Sequence, residues 1–262
     1  MVFRSWRIGL DIQCDGARAV ALSRGRHGWC LQRWWDFPHL KTVPAGQIVL
    51  PEAMAAWHRQ LPLGAQLRVS FPGSRTLQKT LSAEPGPLNE AQRVIYLAAS
   101  MSTPLRMSAA ELSLDYCAQS TGEYAVTAAR REDVEGMCTA LKQLRLTPAA
   151  IAPDASALQS FLPFITGRGH STVIHQSGGY WLWASAQRWG CVDIAQAATA
   201  PALCEHIAVQ TVQVITFHQA FAGNGVTYVD PWSALMRVQP PLPENGDSFA
   251  VALGLALARV RQ

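Results

Sequence analysis

One pattern of elements occurs twice in this chain and restricts its fold more than any other feature. A strand, a tight hairpin, a second strand, a third strand, a helix and a further strand begin near residue 7 and again near residue 171. The first copy opens Arg7-Ile8-Gly9-Leu10-Asp11-Ile12-Gln13, turns at Cys14-Asp15-Gly16 and returns over 17–24. Asp15-Gly16 is expected to supply the positive-φ positions of the reversal. An aromatic-rich strand follows at 29–37, then a helix at 52–61 opened by Pro51, then a strand at 66–71. The second copy runs through strands 171–176, 180–185 and 189–194, with Ser177-Gly178-Gly179 at its hairpin, then a helix at 201–208 and a strand at 212–217. The repetition is one of elements, not of residue identities.

Between the copies the chain changes character. Pro72-Gly73-Ser74 turns into a strand of alternating polarity at 75–81, and Glu84-Pro85-Gly86-Pro87 reads as a linker. Asn89 caps a helix reaching about residue 101, and 111–118 and 123–130 read as an antiparallel pair. An amphipathic helix at 132–144 and a strand at 147–152 lead to Asp154, expected to cap a helix at 155–161. The tail closes on a helix at 248–260, apolar nearly all round. It should be buried against a sheet, with Gly254 allowing close approach.

Composition narrows the function classes. Hydrophobic residues make up 49% of the 262 and charged residues 15%, so the chain folds throughout. The net charge is +4 and the cations are almost all arginine, 19 against three lysines. They are scattered, with no run longer than Arg130-Arg131, so direct nucleic-acid binding is the lesser reading. Six cysteines lack any CxxC spacing and read as reduced. Seven histidines lack HExxH spacing, so no metal site is expected. The first strand begins too early for a signal peptide, and the longest apolar stretch is too short for a bilayer.

Particular segments carry a family resemblance. Ile8-Gly9-Leu10-Asp11-Ile12, Ala150-Ile151-Ala152-Pro153-Asp154-Ala155-Ser156-Ala157-Leu158 and Phe249-Ala250-Val251-Ala252-Leu253-Gly254-Leu255-Ala256-Leu257 resemble the PilM family of type IV pilus assembly proteins. Arg33-Trp34-Trp35, Phe71-Pro72-Gly73-Ser74-Arg75-Thr76-Leu77-Gln78, Trp181-Leu182-Trp183-Ala184 and Asp230-Pro231-Trp232 resemble its enterobacterial branch. Together these segments run from residue 8 to 257. The resemblance implies an α/β, actin-like fold of duplicated β-β-β-α-β units with a PilM-type inserted subdomain and a reduced second half. The implied division is 1–80 and 147–169 for the first subdomain, 81–146 for the insertion and 170–262 for the second.

The family implies a cytoplasmic protein that binds the N-terminal tail of a PilN-like (HofN) inner-membrane protein and, in PilM itself, ATP between the two halves. Phosphate-binding turns need glycine for close backbone approach and an aspartate to position the metal. Here the first motif reads Asp11-Ile12-Gln13, with Asp15 and Gly16 displaced. The second reads His175-Gln176-Ser177, with Gly178 and Gly179 one position late. The expected cofactor-binding set is therefore a degenerate one: Asp11, Gln13, Asp15, Gly16, Gly178 and Gly179, with no catalytic or metal-binding residue. No cofactor is expected, and weak ATP/Mg binding is the most such a site retains. Asp11 is expected to bond neighbouring backbone, and His175 to be a hydrogen-bonded core histidine. Phe71, Arg75 and Leu77 are the partner-binding candidates, in a groove expected between the insertion and the first subdomain. One member of each tryptophan pair, Trp34/Trp35 and Trp181/Trp183, should face inward. The leading function is a non-catalytic scaffold for a pilus-like or DNA-uptake machine, held at the inner membrane by its partner. The alternatives are a working ATPase that drives assembly and a direct DNA-binding protein.

Overall fold

The computed structural model describes residues 5–39, 50–82, 86–165, 171–211, 214–238 and 241–258. Parts of three expected elements lie outside these residues: Glu84-Pro85 of the linker, Val212-Gln213 of a strand, and Arg259-Val260 of the last helix.

The first hairpin is strand β1 (Arg7–Gln13) paired antiparallel with β2 (Gly16–Arg24). Strand β3 (Trp29–Pro38) continues the meander, and β4 (Gln66–Phe71) and β8 (Pro148–Pro153) add in parallel on the other side. The sheet order is β3-β2-β1-β4-β8. A second five-stranded sheet repeats this plan. Strands β9 (Thr172–Ser177), β10 (Tyr180–Ala184) and β11 (Trp189–Asp193) form its meander, with β12 (Val214–Thr216) and β13 (Thr227–Tyr228) added in parallel, in the order β11-β10-β9-β12-β13. The duplicated pattern is thus a duplicated sheet topology, and the fold is α/β and actin-like. Helix α4 (Ala200–His206) lies in the connection from β11 to β12, capped by the Thr199 side chain.

The two helical segments that follow the sheets cross over. Helix α3 (Asp154–Ala157) and the 3-10 turn Leu158–Phe164 leave the first sheet and pack on β9, β10 and β11 of the second. Helix α5 (Ala250–Leu257) comes from the second copy and packs on β1, β2 and β4 of the first. All eight residues of α5 are buried, as its all-round apolar sequence requires. Its approach is set by two glycines. A Cβ on Gly9 would lie 1.9 Å from the Ala252 carbonyl oxygen, and one on Gly254 would lie 2.4 Å from that of Ala157.

The chain divides into two compact units, Met1–Phe71 with Ala140–Gln262, and Pro72–Thr139. The second unit begins at Pro72, earlier than the expected boundary near residue 81, because β5 (Thr76–Leu81) pairs with the inserted strands. Its sheet order is β5-β7-β6, with β6 at Leu112–Ala118 and β7 at Tyr124–Arg130. Helix α1 (Glu90–Leu105) covers this sheet through Leu97 and Met101, which pack with Leu112, Val126 and Ala128. Asn89 and Gln92 form a reciprocal capping box at its start. Asn89→Ala should cost about 1 kcal/mol, read as a lowered urea midpoint with an unchanged slope. An unaltered midpoint would show that the cap carries no stability. Helix α2 (Arg131–Gln143) follows β7 directly, with Glu132 and Asp133 in its first turn and Lys142 in its last.

Three expectations change. Residues 52–61 form two 3-10 turns, Glu52–Met54 and Trp57–Gln60, instead of one α-helix. The i, i+3 pair Met54 and Trp57 is buried, with Trp57 edge-on to both Trp35 and Phe37. Asp154 is the first residue of α3 and Pro153 its N-cap, the Asp154 carboxylate accepting from the Ala155 amide. The final helix is an α-helix only from Ala250, after a 3-10 turn at Gly246–Phe249. The tryptophan pairs divide as alternation dictates: Trp35 and Trp181 are buried. Trp34 is half-buried, donates to the Pro241 carbonyl and packs edge-on to Phe249.

Candidate functional site

The two hairpin turns of the duplicated sheets carry the candidate nucleotide residues, and both belong to the larger unit. They are not equivalent. In the second, Ser177 pairs with Tyr180 around Gly178 (φ +58°) and Gly179 (φ +87°), the positive-φ pair of a tight two-residue turn. In the first, Gln13 pairs with Gly16 around Cys14 and Asp15. Gly16 alone there holds positive φ (+153°), and a Cβ on it would lie 2.5 Å from the Phe37 carbonyl oxygen. Asp15 therefore does not supply the positive-φ position expected of it. Its carboxylate is instead held by both terminal nitrogens of Arg18, at 3.2 and 2.6 Å. That hydrogen bonding, ahead of the cost of partial burial, holds the Asp15 carboxyl below its usual range.

Asp11 lies inside the protein, 1% exposed. Its Oδ1 accepts from the Gln13 side-chain amide at 2.9 Å. The Ser70 hydroxyl, which accepts from the Ile12 amide at 2.9 Å, also bonds the Asp11 carboxylate. The partners of Asp11 are thus side chains, not the neighbouring backbone expected of it. Burial raises the Asp11 pKa against the opposing pull of Ser70, Gln13 and the Arg18 charge.

Gln13 reaches the other turn. A Cβ built on Gly178 would lie 2.8 Å from Gln13 Oε1 and 3.9 Å from its Cδ, whereas one on Gly179 meets nothing within 4 Å. One amide side chain therefore engages the Asp11 carboxylate with its nitrogen and crosses to the second turn with its oxygen.

The second copy holds a stack of imidazoles where the first holds Asp11. His175 is 2% exposed and lies face to face with His218, ring centres 4.8 Å apart and planes 7° from parallel. His175 Nδ1 is buried with no hydrogen-bond partner among the described residues. This corrects the expectation of a hydrogen-bonded core histidine: ring stacking places it. Burial first, then the His218 and Arg18 charges, push its pKa down to about 3. His218 Nδ1 meets Asp247 Oδ2 at 2.5 Å, and its Nε2 lies 3.3 Å from the Gln176 carbonyl oxygen. Arg18 completes the set. Its Nε is buried without a hydrogen bond, 3.9 Å from Asp36 Oδ1.

Residues of this kind fit a magnesium nucleotide poorly. A phosphate-binding turn needs open space in front of its backbone amides, and here the Gln13 side chain lies against Gly178 of the second turn. A metal-positioning carboxylate must be ionised, and burial favours the protonated form of Asp11. The second carboxylate position is a neutral imidazole. Among the described residues, no three His, Cys, Asp or Glu side chains converge as metal ligands.

The partner-binding candidates fall in different surroundings. Phe71 ends β4 and is 2% exposed, inside the larger unit. Arg75 sits in a 3-10 turn and pairs with Asp133 at 3.2 Å. Leu77 packs against the core of the inserted unit. Arg18, Ser70, His218 and Asp247 are site residues that sequence reasoning did not single out. Arg18 had a signal, a lone cation in the otherwise apolar run Ala17-Arg18-Ala19-Val20. His218 and Asp247 had none, because 28 residues separate them and only the fold joins them.

Comparison with known proteins agrees with this frame. No protein-family model matches the chain. It is 36% identical over 265 residues to the DNA utilization protein HofM of Escherichia coli (strain K12), covering 99% of both chains. Among solved structures, the cytoplasmic domain of EpsL, an inner-membrane component of the type II secretion system of Vibrio cholerae, superposes with a TM-score of 0.60. The match covers 96% of this chain and 93% of that one at 13% identity. A Bacteroides thetaiotaomicron protein of actin-like ATPase fold and unknown function reaches a TM-score of 0.48 at 8% identity, covering 87% and 92%. By identity along its entire length, on a duplicated actin-like frame, the chain belongs to the HofM family.

Proposed function

We propose that this protein is a non-catalytic scaffold of a type IV pilus-like or DNA-uptake machine that binds the cytoplasmic N-terminal tail of a PilN-like (HofN) inner-membrane protein. One observation carries the non-catalytic reading: the Gln13 side chain, bonded to Asp11, lies beside Gly178 and fills the space between the two hairpin turns. A bound nucleotide would have to displace that amide from beside a buried carboxyl whose pKa burial raises. The scaffold reading draws support from full-length kinship with a DNA utilization protein and from likeness of fold to the cytoplasmic domain of an inner-membrane secretion component. On this reading the protein works on the cytoplasmic face of the inner membrane, held there by its partner. Among the described residues no helix is long and apolar enough to cross a membrane.

Melting curves with and without Mg-ATP test the first half. A nucleotide present at a hundredfold its Kd would add about 2.7 kcal/mol of stability. The expected change is none, and a clear rise in Tm would overturn the reading that no nucleotide binds. Pull-down with an immobilised PilN-like tail peptide tests the second half. The peptide should retain the protein, and failure to do so removes the scaffold while leaving the nucleotide argument intact.

A further inference from the structure

The first sheet separates charge along its strands. Strands β1, β3, β4 and β8 run the same way and β2 runs against them, so one end of the sheet gathers four strand starts and one strand end. That end carries Arg7 at the start of β1, Arg24 at the end of β2 and Arg26 in the turn before β3. Arg145 lies just before β8. Arg237 joins them by bridging in parallel to Cys30 of β3. The sequence has no Asp or Glu in 5–10, 22–35, 61–71, 144–153 or 231–238, the segments that build this end. The opposite end carries Asp15 in the hairpin turn, Asp36 near the end of β3 and Asp154 directly after β8, with Arg18 pairing with Asp15 and lying beside Asp36.

These cations are not neutralised locally. Arg24, Arg26, Arg145 and Arg237 are exposed, and none has an ion-pair partner among the described residues. Arg7 and Arg24 both lie over the Trp29 ring, at 4.9 and 5.9 Å. Burial, and then the neighbouring Arg24 charge, lower the Arg7 pKa.

Two large apolar side chains stand out among these cations. Leu63 is fully exposed on the 62–65 turn that leads into β4. That turn is fixed beside the start of β1 by the Ser5 hydroxyl donating to the Gly64 carbonyl and the Gln66 amide donating to the Trp6 carbonyl. Met236 is 66% exposed. Its amide donates to the Trp29 carbonyl, and its side chain lies against Gly28. Neighbouring strands are about 4.8 Å apart, so five of them make a rim of roughly 20 Å.

We propose that this end of the first sheet is a docking surface for an anionic phospholipid membrane, with the arginines on the headgroups and Leu63 and Met236 entering the interface. The combination selects lipid over other anions. A nucleic acid would satisfy the arginines and leave both apolar side chains in water, whereas a bilayer interface takes both. The inference does not rest on the scaffold reading, since it concerns a different surface and needs no protein partner.

Flotation of the full chain with vesicles tests it, at low salt. One vesicle set is phosphatidylcholine alone and the other contains phosphatidylglycerol. The protein should float with the anionic set only and be released by salt. The double variant Arg24→Glu with Arg26→Glu should lower the partition coefficient by at least about 25-fold, taking about fivefold for each cation lost before the added anions. Leu63→Ser should lower it roughly fivefold. Lys79→Glu, in the inserted unit, should change nothing. These arginines and Leu63 are exposed, so the variants should keep the wild-type Tm. Equal flotation with both vesicle sets, or unchanged flotation of the double variant, overturns the proposal. So does tighter retention of a short DNA duplex than of anionic vesicles, lost in the same double variant.

Discussion

Acidification from about pH 7.5 to about pH 5 should cost this protein about 2 kcal/mol through His175 alone. The sign follows from where the proton binds. An unfolded histidine titrates near 6.5, and the folded His175 is pushed down to about 3. Between these values the unfolded chain takes up a proton that the folded chain refuses. The stability is complete above about pH 6.5 and is lost as the pH falls toward 3. The cause is burial of a ring with no partner for its Nδ1, beside His218 and the Arg18 charge. Asp11 acts with the opposite sign, because a carboxyl with a raised folded pKa loses its contribution as pH rises through that value. The two are separated by His175→Phe, which keeps a ring against His218 and Phe217 and cannot titrate. Chemical unfolding at both pH values should show the wild type losing about 2 kcal/mol more than the variant. Equal losses would mean that His175 is not a buried neutral imidazole.

Replacing Gly9 by valine should be at least as damaging at every pH. The new Cβ would meet backbone atoms of α5, the Ala252 carbonyl at 1.9 Å and the Ala256 nitrogen at 2.8 Å, which cannot yield unless the helix moves. The helix has no room to retreat, since Gly254 already lies against the Ala157 carbonyl. Overpacking usually costs 1–3 kcal/mol, and with both neighbours fixed the expectation is about 3 kcal/mol or more. For a chain of this size that is a Tm lowered by roughly 6–12 °C. The contrast is Gly136→Ala in α2, where a Cβ meets nothing within 4 Å and helix propensity should add about 1 kcal/mol. A Gly9→Val protein that melts with the wild type would show that α5 does not seat on β1 as described.

The hairpins were legible because period-two alternation and glycine turns are local signals, and β1 and β4 have the bounds that the pattern predicts. Residues 52–61 were less so. Their apolar spacing suits an α-helix, and what shortens them to 3-10 turns is Trp57 fitting between Trp35 and Phe37. The inserted unit began earlier than its linker suggested, because strand pairing and not proline content assigns β5.

By itself the sequence determined the duplicated actin-like plan, the burial of the last helix and which residues stand at the two hairpin turns. Each is written in contiguous residues: alternation, an all-apolar run, and Gln13 and His175 close to the two turns. Only the tertiary structure decided what those residues touch. Gln13 bonds Asp11 and lies beside Gly178, more than 160 residues away along the chain. His175 rests on His218, which Asp247 holds in turn. Five of the 19 arginines meet at one end of one sheet, because the starts of its parallel strands, the end of β2 and the Arg237 bridge to β3 come together there whatever their separation in sequence.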